Sequence, residues 1–410
     1  MKKIHPERSI MTIRVSHAGS LPRTDKLITA NAARFDDNID TDEFGQLLTD
    51  SVVDIVKRQK DVGITEVNDG EYGHAMAAER DYGAWWHYSF ERTSGLELQD
   101  VHFHNAPPVR SEPGKVVLTS FPDRRDRHLF PGVYGDVEAS GADTGQQQQF
   151  PVAVEPVRYV GQELIQRDIQ NLKKACEAAG VDPSTAYINS LGPSSAARIE
   201  NGYYDTAEEF IWAMADVFRE EYLAIAEAGF IIQIDDPSIA ENWDQINPAP
   251  TFEEYREFTR PRIEALNYAL RGIDPQQVRF HTCWGSWHGP HVTDLPFEEI
   301  VDDVLSINAA GITFEAANVR HEHEWRIWED TKLPDGKYII PGIVSHSTNI
   351  VEHPQLVADR IERFARLVGP ENVVASTDCG LGGRVHPEIA WAKLESLAQG
   401  AEIASKRLGS

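Results

Sequence analysis

"TAEEFIWAMADVFREEYLAIAEAGFIIQIDD" (residues 206–236) carries two apolar periods back to back. Phe210, Met214, Val217, Phe218, Tyr222 and Ile225 recur at helical spacing, which predicts a helix with one apolar face. Thr206 and Glu209 have capping-box spacing, in which each side chain satisfies the other residue's backbone N–H. Gly229 supplies the stop. "FIIQIDD" (230–236) then reads as a buried strand that ends on two carboxylates.

The same alternation extends in both directions. "TAYINS" (185–190) is the strand before, and Thr251 with Glu254 opens the next helix with a second capping box. "VRFHTC" (278–283), "GITFEAA" (311–317), "YIIPGIVS" (338–345) and "VVASTDC" (373–379) follow, with helices predicted over "FEEIVDDVLSINAAG" and "PQLVADRIERFARLVG". Upstream, "IRVSHAGS" (13–20) and "ITEVNDGE" (64–71) flank a helical stretch around 42–62. Eight strands alternating with helices predict an α/β fold, a (β/α)8 TIM barrel, over an open doubly wound sheet. No Gly-x-Gly-x-x-Gly follows the first strand, which argues against dinucleotide binding. Residues 1–410 are expected to form a single barrel domain. Residues 91–160, rich in Pro, Gly, Asp and Gln, read as an insertion after strand two: part hairpin, with β-like pieces at 115–120 and 152–160, and part mobile loop around "SGADTGQQQQF".

Against 39 Lys and Arg stand 65 Asp and Glu, a net charge of −26 that would repel a nucleic-acid backbone and an anionic membrane alike. No stretch approaches the roughly 18 unbroken apolar residues of a membrane span, and the N-terminus lacks the apolar region of a secretory signal. Three cysteines are too few and too scattered for a disulfide framework. The expectation is a cytoplasmic enzyme acting on small molecules, with homo-oligomerisation left open.

In a TIM barrel, chemistry gathers where strands pass into the following loops. Those ends carry His17, Ser20, Asp69, Glu71, Asn189, Ser190, Asp235, Asp236, His281, Cys283, Glu315, His346, Asp378 and Cys379. Asp, Asn and Ser are ordinary in such turns, but His and Cys have no such preference. His281 and Cys283, two apart, share one face if the strand runs through both. Glu315 and Cys379 end two other strands, so nitrogen, sulfur and carboxylate donors can converge at one rim, a set that suits Zn²⁺. "RHEHEW" (320–325), with His321 and His323, reads as solvated surface, "HGPH" (288–291) as a loop ligating nothing, and Trp85, Trp86, Trp284 and Trp287 mostly as packing.

The motifs "HAGSLPR", "VNDGE", "IIQIDDP", "HTC", "ITFEA" and "TDCGLGGR", in this order from about residue 13 to 384, resemble the cobalamin-independent methionine synthase family. The likeness is to its catalytic C-terminal barrel and to its shorter stand-alone relatives. It implies zinc ligands His281, Cys283, Glu315 and Cys379, and homocysteine as the thiol. It also implies Glu71 and Asp235 on the ammonium, the Gly19–Ser20 turn on the carboxylate, and Glu241 on a folate donor. His346 falls near the family's acid, although the interval from Pro341 is one residue shorter than in the family. Gly382–Gly383 stands where full-length synthases carry Lys-Thr, and their N-terminal barrel has no counterpart in this sequence. Both departures put the polyglutamyl-folate donor in question.

Four protein ligands would normally close a zinc site, but a carboxylate can yield its place to an incoming thiol. Two thiolates and one carboxylate around Zn²⁺ sum to −1, which leaves a bound thiolate nucleophilic enough to attack an alkyl carbon. Shorter relatives include enzymes that join coenzyme M to an epoxide. A sulfonate-bearing thiol calls for Arg or Lys where this chain keeps Glu71 and Asp235, which favours an amino thiol. The remaining alternative is a non-catalytic zinc scaffold, and the fully occupied ring of strand ends argues against it.

Overall fold

The structure, a computed structural model, describes residues 12–35, 38–76, 84–100, 106–136 and 149–409. Among these, the strands in chain order are β1 (Arg14–Val15), β2 (Thr93–Gln99), β3 (Phe150–Tyr159), β4 (Tyr187–Leu191), β5 (Glu200–Asn201), β6 (Ile231–Asp235), β7 (Val278–His281), β8 (Gly311–Phe314), β9 (Tyr338–Val344) and β10 (Val374–Thr377). Seven of them form a curled, wholly parallel sheet in the order β1-β10-β9-β8-β7-β6-β4. Consecutive strands lie side by side from β6 to β10 because each is followed by helical chain that returns it to the same end.

The predicted strand at 64–71 is not a full strand. Thr65 and Glu66 N–H donate to Val15 O at 2.9 and 3.0 Å, Tyr187 N–H donates to Val67 O at 3.0 Å, and Asn68 bridges Tyr187. This extended piece therefore lies between β1 and β4, and β segments follow one another around a ring. It is short because Gly70 and Glu71, at φ +70° and +58°, turn the chain immediately afterwards.

The helix predicted from residue 206 spans Ala207–Glu227, with both hydrogen bonds of the Thr206–Glu209 capping box formed. Its apolar face is buried at Phe210, Met214, Val217, Phe218, Tyr222 and Ile225, each worth about 1.5–3 kcal/mol relative to exposure. The chain leaves it through Gly229 at φ +86°. The second capping box, Thr251–Glu254, opens Phe252–Ala269. Thr41–Asp61 and Pro354–Val368 fill the helical stretches expected around 42–62 and 354–369. "FEEIVDDVLSINAAG" is not one helix but a 3-10 turn, Phe297–Glu299, and a five-residue helix, Val301–Leu305.

The segment after residue 91 also differs from expectation. A strand, β2, forms at 93–99 where none was predicted, and pairs antiparallel with β3, which covers the expected piece at 152–160. The expected piece at 115–120 is not a strand; only a bridge between Glu112 and Lys115 is present there. Short helices at Arg125–Leu129 and Pro131–Tyr134 follow. Most of "SGADTGQQQQF" lies outside the described residues. No helix of the described residues is long and apolar enough to cross a membrane.

Candidate metal centre

The C-terminal ends of the main sheet come to one rim. β7 ends at His281, so Cys283 lies in the turn beyond it and does not share a strand face with His281, as the spacing had predicted. The donor atoms of His281, Cys283 and Cys379 nevertheless lie within 4.8 Å of one another. Cys379 likewise sits just past β10, and Glu315 just past β8. The sheet thus fixes where each turn departs, and the turns aim the donors. A hydrogen bond from Cys283 pulls the Cys379 thiol well below its usual range, with burial opposing and His281 adding to the effect. Two thiols and an imidazole so close, one thiol inclined to ionise, form a donor set that fits a zinc ion.

Glu315 is grouped instead with His346 and Asp378, again within 4.8 Å. Its Oε1 accepts from Trp284 N–H at 2.9 Å and its Oε2 from the Asn318 side-chain amide at 2.6 Å. Burial raises its pKa to about 8. Asp378 holds this arrangement in place. Its Oδ1 accepts from the N–H groups of Ala316 and Ala317 at 2.7 and 2.8 Å, and its Oδ2 from Asn318 N–H at 2.8 Å. With its oxygens taken by backbone donors, Asp378 acts as a brace joining the Glu315 turn to the Cys379 turn. Gly342 in β9 makes room for it, since a Cβ there would lie 2.0 Å from Asp378 Oδ1. Asn318 did not stand out in the sequence, because nothing in its neighbourhood marks it.

His346 lies beyond β9, buried, with Nδ1 lacking a hydrogen-bond partner among the described residues. Burial lowers its pKa to about 4, so the imidazole is neutral near pH 7. His321 corrects the reading of "RHEHEW" as surface: it is buried, lies tilted against Trp284 with ring centres 4.1 Å apart, and meets Glu324 at 2.8 Å and Asp294 at 3.2 Å. His323 is exposed, as expected. Trp284 packs against Phe297 and is buried.

Glu71 and Asp235 lie side by side beside the thiols. Burial and the neighbouring charge of Asp235 hold Glu71 well above the usual carboxylate range, and burial raises Asp235 to about 6. The charge of Cys379 adds to both. Asp235 accepts from the amides of Asn189 at 2.8 Å and Gln233 at 3.0 Å, which are neutral donors. A cation arriving between two such carboxylates would lower both pKa values and be held strongly. Gly19 (φ +133°) lets the first turn pass this close: a Cβ there would meet Glu71 Oε1 and Asn189 Nδ2 at 2.3 Å. Ser20 O accepts from Leu381 and Gly382 N–H at 2.9 and 3.0 Å, which joins its turn to the one carrying Cys379.

Glu241, on a short helical turn after β6, is already engaged. Arg198 donates to it at 2.8 and 3.2 Å, and Arg124 makes a further ion pair. Burial alone would raise its pKa, but Arg198 and Arg124 outweigh it and hold the group at about 2. Arg124 comes from the segment after β2, wedged against Phe121 at 4.4 Å and Trp287 at 4.6 Å.

The family described as the catalytic domain of the cobalamin-independent synthase matches residues 195–403, just over half of the chain. The chain is 26% identical over 221 residues to a methionine synthase of Thermococcus kodakarensis, a match spanning 53% of this chain and 56% of that protein. It is 24% identical over 275 residues to a 2-hydroxypropyl-CoM lyase of Xanthobacter autotrophicus, spanning 58% and 66%. A B12-independent methionine synthase from Shewanella sp. W3-18-1, solved in complex with selenomethionine, shares the fold at a TM-score of 0.68 and 21% identity, covering 97% of this chain and 99% of that one.

Proposed function

Because the chain belongs to the cobalamin-independent synthase family, we propose that it is a zinc-dependent thiol alkyltransferase on a (β/α)8 barrel, with homocysteine as the thiol and a methyl group as the transferred unit. The observation that carries this reading is the juxtaposition of His281, Cys283 and Cys379 with the carboxylate pair Glu71 and Asp235. The three donors, with Glu315 able to join them or stand aside, would hold Zn²⁺. When bound, the ion supplies a Lewis acid that keeps the substrate sulfur ionised near neutral pH.

The chain's own groups supply the rest. Glu71 and Asp235 hold the substrate ammonium, and the Gly19–Ser20 turn faces its carboxylate, so the amino-acid head is fixed while the sulfur points at the donors. Glu315, whose two oxygens accept from the Trp284 N–H and the Asn318 amide, would be able to give up a place on the ion without being left unpaired. His346, neutral and with Nδ1 open, takes up and passes on a proton at that atom. Glu241 is a less suitable contact for a folate ring than the family likeness implies, since Arg198 and Arg124 occupy its oxygens.

Coenzyme M is the second reading, supported by the lyase relative. Its sulfonate is poorly matched to two adjacent carboxylates. The test is a mass-spectrometric product screen of zinc-loaded protein with homocysteine and with coenzyme M, each offered methyl donors and epoxides. S-methylation of homocysteine supports the first reading; a coenzyme M adduct with homocysteine untouched replaces it with the second.

A further inference from the structure

We propose that Arg23 is the positioning residue that gives this site its selectivity for a thiol bearing an amino-acid head. The inference rests on the amino-thiol reading above. Glu71 is a non-glycine residue at φ +58°, a conformation that sterics disfavour for a residue with a side chain. Something must hold it there, because its carboxylate is needed and glycine cannot supply one. Arg23, almost fully buried, does so with one guanidinium.

Its Nη2 donates to the backbone carbonyls of Glu71 and His74, the latter at 3.3 Å. Its Nη1 donates to Ser20 Oγ at 2.7 Å and Leu21 O at 3.1 Å. Two turns far apart in sequence are thereby tied through a single planar fork. One carries the Gly19–Ser20 backbone and the other carries Glu71. Neighbouring bonds reinforce the tie: Leu21 N–H donates to Gly70 O at 3.2 Å, and Tyr72 OH donates to Pro22 O at 2.7 Å. The guanidinium spends these donors on the scaffold and sets the spacing between the groups facing the substrate's carboxylate and its ammonium. A lysine would keep the charge but not the two-sided fork.

The experiment measures thiol binding to zinc-loaded protein by calorimetry, with homocysteine and with 1-propanethiol, which keeps the thiol and chain but lacks both charged ends. Zinc content is checked in every variant. In Arg23→Gln and Arg23→Lys, homocysteine should weaken by about 10- to 100-fold, the range set by losing contacts to a charged group. Propanethiol should change by less than about threefold, because the sulfur's own site is untouched. Arg23→Lys, the milder change, carries the test if Arg23→Gln fails to fold. A general structural role for Arg23 would weaken both thiols together and would overturn the inference, as would unchanged homocysteine affinity. A wild type that binds both thiols equally would overturn the amino-thiol reading, and this inference with it.

Discussion

Asn318 donates its side-chain amide to Glu315 Oε2 at 2.6 Å, while its own backbone N–H is held by Asp378 at 2.8 Å. Glu315 is thus secured by neutral donors and needs no metal to stay in place. A carboxylate with such a resting position can leave a metal without being left unpaired in a buried site.

Glu315→Gln should therefore keep most of its zinc through His281, Cys283 and Cys379. Its neutral amide removes one negative charge, so a bound thiolate should be less reactive and turnover should drop by about 10-fold or more. X-ray absorption of the wild type should gain one sulfur at about 2.3 Å on adding homocysteine. A two-sulfur shell that no thiol alters would mean a closed, structural zinc.

Cys283→Ser and Cys379→Ser should each lose most of the metal. Their thiols are two of three donors within 4.8 Å of one another, and each substitution removes one of the two thiolates on which tight binding depends. Metal analysis of purified variants checks this, and full zinc in both would remove the assignment.

Glu71→Ala and Asp235→Ala should each weaken homocysteine by about 10- to 100-fold with zinc retained. Burial and the charge of Asp235 disfavour the ionised form of Glu71, so Glu71→Ala should also be at least as stable as the wild type near pH 7 when no thiol is present. Calorimetric binding and thermal melts read the two effects separately. Unchanged homocysteine affinity in both variants would shift the reading to coenzyme M.

Glu241 predicts a pH dependence of stability. Its folded-state pKa is depressed from 4.5 to about 2, so folding favours the ionised form. The stabilisation is fully present above pH 4.5 and is lost as the pH falls toward 2; its size is on the order of 3 kcal/mol. The stability gap between wild type and Glu241→Gln should be widest above pH 4.5 and narrow steadily below it. Urea unfolding across that range measures the gap, and one that stays constant with pH would contradict the assignment.

The parts of the molecule governed by local rules were legible in the sequence. Both capping boxes and the buried face of 207–227 follow from neighbours three and four residues apart. The convergence of His281, Cys283 and Cys379 was legible for a different reason: Cys and His gain nothing from standing in a turn, so their presence at strand ends stood out. What could not be read depends on partners distant in the chain. His321 is buried against Asp294, 27 residues earlier, and Glu241 is saturated by Arg198 and Arg124, 43 and 117 residues earlier. β2 lacks a strong β pattern and forms because β3 pairs with it. The piece at 65–68 is extended only because Val15 and Tyr187 flank it.

Every residue of the candidate metal centre except His281 stands past the last paired residue of its strand. The hydrogen-bonded register of the sheet is consequently set by residues other than these, so the framework and the chemistry at its rim are encoded by separate sets of positions.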